Sequence, residues 1–319
     1  MTDFILLEKL YTMVNDIPKP TLFHRKGLRA SGYFRPYMDL GDYTKAHIFS
    51  SNDIVTPVDI RFSSMLGDDG TADTRRNIKG MEIKFNDIDC QYDMFCRSLP
   101  VMFIRDKDKL ISLIDAFSTG KPFDKINNYK LWAFVCDNPQ ALNCMLRLYS
   151  AYGLVDSFVN IDWFSVNQFI WINRSNNKTL VKYRWAPIND YADKNRNSKL
   201  LTRIKAEFIS GYDPDRALNE LKNSIDEQKY PTFELQIQMI DMNRCFNKQY
   251  FDRTLVWSED EIPYKAVGIL KINKYYENLY DGAKLVHSGC NNIDGIKVLG
   301  DELSRINGYL TMLETSERG

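Results

Sequence analysis

The feature that most constrains this chain is a run of short stretches in which apolar and polar residues alternate, separated by brief turns. In residues 54–64, Val58, Ile60 and Phe62 alternate with polar neighbours. In residues 80–85, Met81, Ile83 and Phe85 fall on one side. Residues 92–95 and 101–104 are further strand candidates, and Gly67-Asp68-Asp69-Gly70 and the Asp87 and Asp89 pair mark turns. Parallel neighbours need a crossover of a dozen or more residues, usually a helix. These gaps leave no room for one, so the spacing predicts an antiparallel meander.

A second block repeats the pattern. Residues 164–174 and 179–186 read as strands joined by a hairpin at Ser175-Asn176-Asn177-Lys178, and residues 233–240 and 266–272 follow as strands. That makes about eight strands in two blocks of four, and closing such a sheet into a barrel removes its exposed edges. Helical spacing is expected at 2–15, ended by Pro18 and Pro20, and at 107–117. Another helix is expected at 139–152, with Asn138 as N-cap, Pro139 in its first turn and Gly153 just past its end. Asp213 is expected to cap 214–227, and Asp301 a last helix running to Leu313. The fold class is therefore α+β: an antiparallel eight-stranded barrel with flanking helices.

Composition narrows the function. The 319 residues suit one large domain. Lysine plus arginine and aspartate plus glutamate stand at 42 each, so no net field draws in nucleic acid or an anionic membrane. Aromatic residues make up 13% of the chain, which suits a large core or a flat apolar ligand. Six cysteines without a C-x-x-C pair argue against structural zinc and a disulfide framework, and point to reduced thiols in a cytoplasmic protein. The amphipathic N-terminal stretch carries Asp3, Glu8 and Lys9, so it is not read as a membrane span.

Two stretches carry chemistry. One of only three histidines, His24, sits in Phe23-His24-Arg25-Lys26-Gly27, which continues to Gly32-Tyr33-Phe34; the others are His47 and His287. A lone histidine is more often structural than catalytic. At the other end, Arg305 and Tyr309 stand four apart on the last helix and so share a face. A neighbouring guanidinium favours the charged form of a tyrosine, and a phenolate is one of the axial ligands proteins use for haem iron. Alone, that spacing is also consistent with a surface arginine beside a packed tyrosine.

Together these stretches resemble the haem catalase family. His24-x-Lys26-Gly27 looks like the family's distal-histidine segment. Arg61-Phe62-Ser63, Ala72-Asp73-Thr74-x-Arg76, Gly80-x-x-x-Lys84-Phe85 and Pro100-Val101-x-Phe103-Ile104-Arg105-Asp106 look like the blocks that follow. Tyr230-Pro231, Val267-Gly268-x-Leu270-x-x-Asn273 and Gly295-Ile296 extend the likeness to the Arg305–Tyr309 helix. Ser165-Val166-Asn167-Gln168-Phe169 is more similar to the small, peroxidase-like members. The resemblance is densest through residue 106, thins over 107–230 and then returns.

The resemblance implies haem b held against an eight-stranded barrel. It makes His24 the distal acid–base, Ser63 the hydroxyl that orients it, Tyr309 the axial ligand of the haem iron, Arg305 the group that steadies the phenolate, and Arg61 a haem-propionate partner. The chain departs from the family in three ways. It is expected to be a single minimal domain over 1–319, without the long N-terminal arm or a C-terminal extension, which implies a smaller oligomer such as a homodimer. Arg97 replaces the distal asparagine, and points either at the iron or into solvent or a propionate. Thr21 and Leu110 replace a propionate arginine and a haem-stacking aromatic.

The implied function is a haem peroxidase that cleaves a peroxide O–O bond and oxidises a small organic substrate. The alternatives are an allene-oxide-synthase-like isomerase or dehydratase of fatty-acid hydroperoxides, a true hydrogen peroxide catalase, and a non-enzymatic haem-binding or gas-sensing protein.

Overall fold

The computed structural model describes residues 2–15, 23–67, 70–88, 91–117, 127–188, 201–245, 247–277 and 292–316. In chain order the elements are α1 (Thr2–Asn15), β1 (Gly27–Pro36), β2 (Thr56–Ser64), β3 (Lys79–Asn86), β4 (Gln91–Arg97), α2 (Leu110–Phe117), α3 (Asn128–Asp137) and α4 (Leu142–Tyr149). There follow β5 (Trp163–Ser165), β6 (Phe169–Ile172), β7 (Lys178–Pro187), α5 (Arg203–Tyr212), α6 (Arg216–Asp226), β8 (Thr232–Asp241), β9 (Lys265–Tyr275), β10 (Ile296–Val298) and α7 (Glu302–Ser316).

Tracing hydrogen-bonded neighbours closes a ring: β1, β2, β3, β4, β5, β7, β8, β9 and back to β1. Every pairing is antiparallel. The barrel thus has eight strands, as the alternation predicts, while β6 and β10 continue the sheet beyond β7. Side chains alternate across each strand. The inward set, including Phe62, Met81, Cys96, Trp163 and Trp185, forms one densely packed core. The aromatic content therefore serves the barrel interior, which leaves the outer wall to carry a site. A second apolar cluster lies outside the barrel. It joins α1, α2, α3, α4 and α7 with the segments around Met65, Ile78 and Val101.

Several expectations are corrected. Residues 101–104 form no strand. They are a buried connector past Pro100, tied across the structure by Met102 N–H donating to the Arg253 carbonyl (2.8 Å) and Cys144 Sγ donating to the Val101 carbonyl (3.4 Å). The helix expected at 139–152 is a 3-10 turn (Pro139–Ala141), then α4, then a second 3-10 turn (Ala151–Gly153). Asn138 stands at its N-cap position but makes no side-chain capping bond there; its Nδ2 donates back to Phe134 O (2.9 Å) and closes α3, a helix the pattern did not announce. Asp213 is the C-cap of α5 and not the N-cap of α6. The strand expected at 164–174 is broken into β5 and β6. By contrast, Asp301 Oδ1 accepts the Ser304 N–H at 2.8 Å, the N-cap bond expected at the start of α7. Thr21, His287, Cys90 and Cys290 lie outside the described residues.

Candidate active site

The site is built on two rungs of three adjacent strands. In register, Ser63 on β2 faces Gly80 on β3, which faces Arg97 on β4. Two residues along, Arg61 faces Glu82, which faces Phe95. The intervening Phe62, Met81 and Cys96 point into the barrel core, so all six site residues belong to its outer wall.

His24 lies over this patch. Its ring is buried, and Nδ1 is 2.9 Å from the Ser63 hydroxyl. It sits over Gly80, where an added Cβ would stand 2.7 Å from Cε1 and 2.8 Å from Nδ1. The edge of the Phe95 ring closes another side, with ring centroids 5.1 Å apart. The backbone of His24 is equally constrained. Its φ is +61°, a left-handed conformation that a histidine does not adopt without cost. The surroundings enforce it. The His24 N–H donates to Met65 O (2.9 Å), and Arg61 Nη2 donates to the His24 carbonyl (2.7 Å). Backbone strain is thus held at a buried histidine that has a hydroxyl partner.

Arg61 is tied into the same segment. Its guanidinium is buried, with Nη2 on the His24 and Arg25 carbonyls and Nη1 at 3.3 Å from Glu82 Oε1. It clamps the histidine's main chain. Arg97 is half-buried on the same wall. Its guanidinium lies 5.6 Å from the centre of the Phe95 ring, and Nη1 reaches Met102 Sδ at 3.6 Å. Burial lowers its pKa from the usual value, and the nearby Cys144 thiol acts in the opposite direction; a guanidinium remains charged at neutral pH all the same. Arg97 also lines a cavity of about 330 Å³ with Phe164, Ser165 and Val166.

At the other end of the chain, Tyr309 is half-buried on α7 and Arg305 is exposed. Among the described residues neither side chain hydrogen-bonds or ion-pairs with the other. α7 does share an apolar cluster with the histidine segment: Leu303, Ile306 and Leu310 belong to the same cluster as Phe23, Met65 and Leu66. Leu110 is buried in that cluster at the start of α2. Among the described residues no group of three or more His, Cys, Asp or Glu is arranged to hold a bare metal ion. The donor set, one histidine–serine pair and one phenol beside an apolar layer, suits a flat cofactor that brings its own metal. Of the other histidines, His47 is exposed and pairs at 2.9 Å with the buried carboxylate of Asp87.

The sequence pattern singled out His24, Ser63 and Arg97 but gave no role to Phe95, Glu82 or Met65. For Gly80 there was a signal, since a glycine inside a strand marks close approach of another group. For Phe95 there was none.

Fold and site define a class: a β-barrel protein that carries a buried histidine–serine pair on the outer wall of its barrel, under a helical layer. Comparison with known proteins narrows the class to one family. The catalase family model matches residues 1–309. The chain is 28% identical to the catalase of Alkalihalophilus pseudofirmus over 312 residues, covering 95% of this chain and 45% of that protein. It is 29% identical to catalase-2 of Bacillus subtilis over 311 residues, covering 95% and 44%. It is 28% identical to the catalase of Triticum aestivum over 314 residues, covering 97% and 62%. The chain belongs to the catalase family, and it spans about half the length of the curated relatives it matches.

Proposed function

We propose that this chain is a haem-dependent oxidoreductase that cleaves a peroxide O–O bond and oxidises a second, small organic substrate. The observation that carries the reading is His24, strained, buried and bonded to Ser63, set over the single strand glycine that leaves room for its ring. The family supports a haem cofactor, proposed as haem b, and a phenol on α7 is a suitable donor for its iron. When bound, the haem supplies the redox chemistry.

The chain's own residues do the rest. Ser63 holds the imidazole at Nδ1, which directs Nε2 to proton exchange. His24 accepts the proton of the attacked peroxide oxygen and returns it to the departing one. Arg61 fixes the main chain from which His24 acts. Phe95 and the apolar cluster keep water from the histidine, and Arg97 places a fixed cation on the same wall, favouring departure of an oxygen anion. Tyr309 is proposed as the iron ligand and Arg305 as its neighbouring cation.

The test is guaiacol oxidation by the haem-loaded protein, with oxygen evolution followed in parallel. The proposal expects donor oxidation and a loss of roughly 10²–10⁴-fold in His24→Ala. Tyr309→Phe should abolish the ferric tyrosinate absorption band. The names of the relatives favour a second reading, hydrogen peroxide dismutation, which would evolve oxygen without a donor. Fatty-acid hydroperoxide consumed without a donor or oxygen release would replace both with isomerisation.

A further inference from the structure

A second cavity, of about 460 Å³, opens beside the histidine segment. It lies between the loop leading into β3, the ends of α3 and α4, and one face of α5. Three guanidiniums line it, Arg75, Arg76 and Arg203, against a single carboxylate, Glu207. That carboxylate pairs with Arg203 at 3.0 Å on an exposed surface, where such a pair is weak.

Arg76 is the fixed member. Its Nη1 donates to the Leu148 carbonyl (2.6 Å) and the Ser150 carbonyl (2.8 Å), and the group stands 5.1 Å from the centre of the Tyr149 ring. Those partners are neutral, so they orient the charge without cancelling it. Burial lowers the Arg76 pKa, the Tyr149 phenol works against this, and the like charge of Arg203 adds to the lowering. Arg75, Arg76 and Arg203 thus gather three positive charges on one cavity, a lining suited to an anion. Leu66 and Leu154 add apolar surface to the lining. A cavity of this size is in the range that holds small organic ligands rather than a lone inorganic ion.

We infer that this pocket binds an amphiphilic organic carboxylate, its charged end on the arginines and its hydrocarbon against Leu66 and Leu154. The lining of the pocket is tied to the histidine segment by hydrogen bonds. Asn77 bridges both main-chain groups of Leu66, accepting its N–H at 3.2 Å and donating to its carbonyl at 2.8 Å. The preceding residue, Met65, accepts the His24 N–H. The pocket thus captures the second substrate of the reaction proposed above. Its use in turnover rests on that reading; its affinity for the carboxylate does not.

The test is calorimetric titration of the full-length haem-loaded protein with decanoate, decanol and inorganic phosphate. Decanoate should bind at least ~10-fold more tightly than either of the others, because charge-assisted hydrogen bonds to a carboxylate and apolar burial act together. Arg203→Gln and Arg75→Gln should each weaken decanoate ~5- to 30-fold and leave decanol unchanged. Decanoate binding no tighter than decanol, phosphate binding as tight as decanoate, or decanoate binding untouched by both substitutions would each overturn the inference. His24→Ala separates the two readings, since it should lose peroxide turnover and keep decanoate binding. An active enzyme that does not bind decanoate refutes the pocket alone, and a decanoate-binding protein without peroxide turnover refutes the peroxide reading alone.

Discussion

Gly80→Ala is the sharpest perturbation the site offers. The backbone tolerates alanine there, because Gly80 lies in a regular strand and is not among the positive-φ glycines. The obstacle is space. The new methyl would stand 2.7 Å from His24 Cε1, 2.8 Å from Nδ1 and 3.0 Å from Ser63 Oγ. To reach ordinary carbon separations of about 3.5–4.0 Å, the ring must retreat by roughly 1 Å. It has little freedom to do so, with its N–H on Met65, its carbonyl on Arg61 and its ring edge-on to Phe95. Overpacking of this kind costs about 1–3 kcal/mol of stability. A misplacement of about 1 Å in a reacting group costs on the order of 10²-fold in rate. The expected result is a folded protein, a few degrees less stable, whose kcat/KM for peroxide-driven guaiacol oxidation falls about a hundredfold. Gly211→Ala is the control, since a methyl there meets nothing within 4 Å. It should keep full activity and gain about 0.4–1 kcal/mol in stability. Undiminished kcat/KM in Gly80→Ala would refute the argument that the His24–Ser63 geometry drives the chemistry.

Other perturbations test neighbouring parts of the structure. Arg61→Met takes the cation from the buried Glu82 carboxylate and should cost about 3–5 kcal/mol in urea denaturation; adding Glu82→Leu should restore much of the stability but not the activity, because the His24 carbonyl still lacks its clamp. Ser63→Ala should remove about 1 kcal/mol of stability and lower turnover at neutral pH, with Ser63→Thr recovering part of it, and equal turnover in both variants would count against the hydroxyl. Lys79 is fully buried, with Nζ on Ser64 Oγ (2.8 Å) and the Asp73 carbonyl (2.5 Å), and burial brings its pKa down to about 8. The unfolded chain then binds more protons than the folded one between about pH 8 and the ordinary lysine value, so this group's contribution to stability rises with pH across that window. The stability of the wild type relative to Lys79→Met should climb by about 3 kcal/mol over the window, and a flat difference would exclude a buried, titrating Lys79.

How much of this was legible in the chain differs from element to element. The alternation around Phe62, Met81 and Ile83 predicts strands and their buried faces, because a period of two leaves only two faces to choose between. Asp301 announces α7 because an N-cap is local chemistry, satisfied by an N–H three residues on. In α3 and α5, the helices that pattern reading missed, Tyr129, Ile204, Phe208 and Tyr212 leave large apolar side chains on exposed faces, which blurs the apolar stripe. Asn138 and Asp213 were read as starts because both residue types favour N-caps, and Asn138 does also stand before the Pro139–Ala141 turn. Only the structure shows that each closes the helix before it.

The sequence by itself determined the strand-rich barrel, the polar residues available for chemistry, and the family to which the chain belongs. Those depend on local periodicity and on short motifs that survive as strings. Tertiary structure alone decided that Ser63, Gly80 and Arg97 form one rung, that Arg61 grips the His24 carbonyl and pairs with Glu82, and that Arg75, Arg76 and Arg203 share one cavity. Each of these is a relation between segments distant in the chain. Such relations are set by which strands pair and by how helices settle on the barrel wall, and the periodicity of one segment does not name its partner.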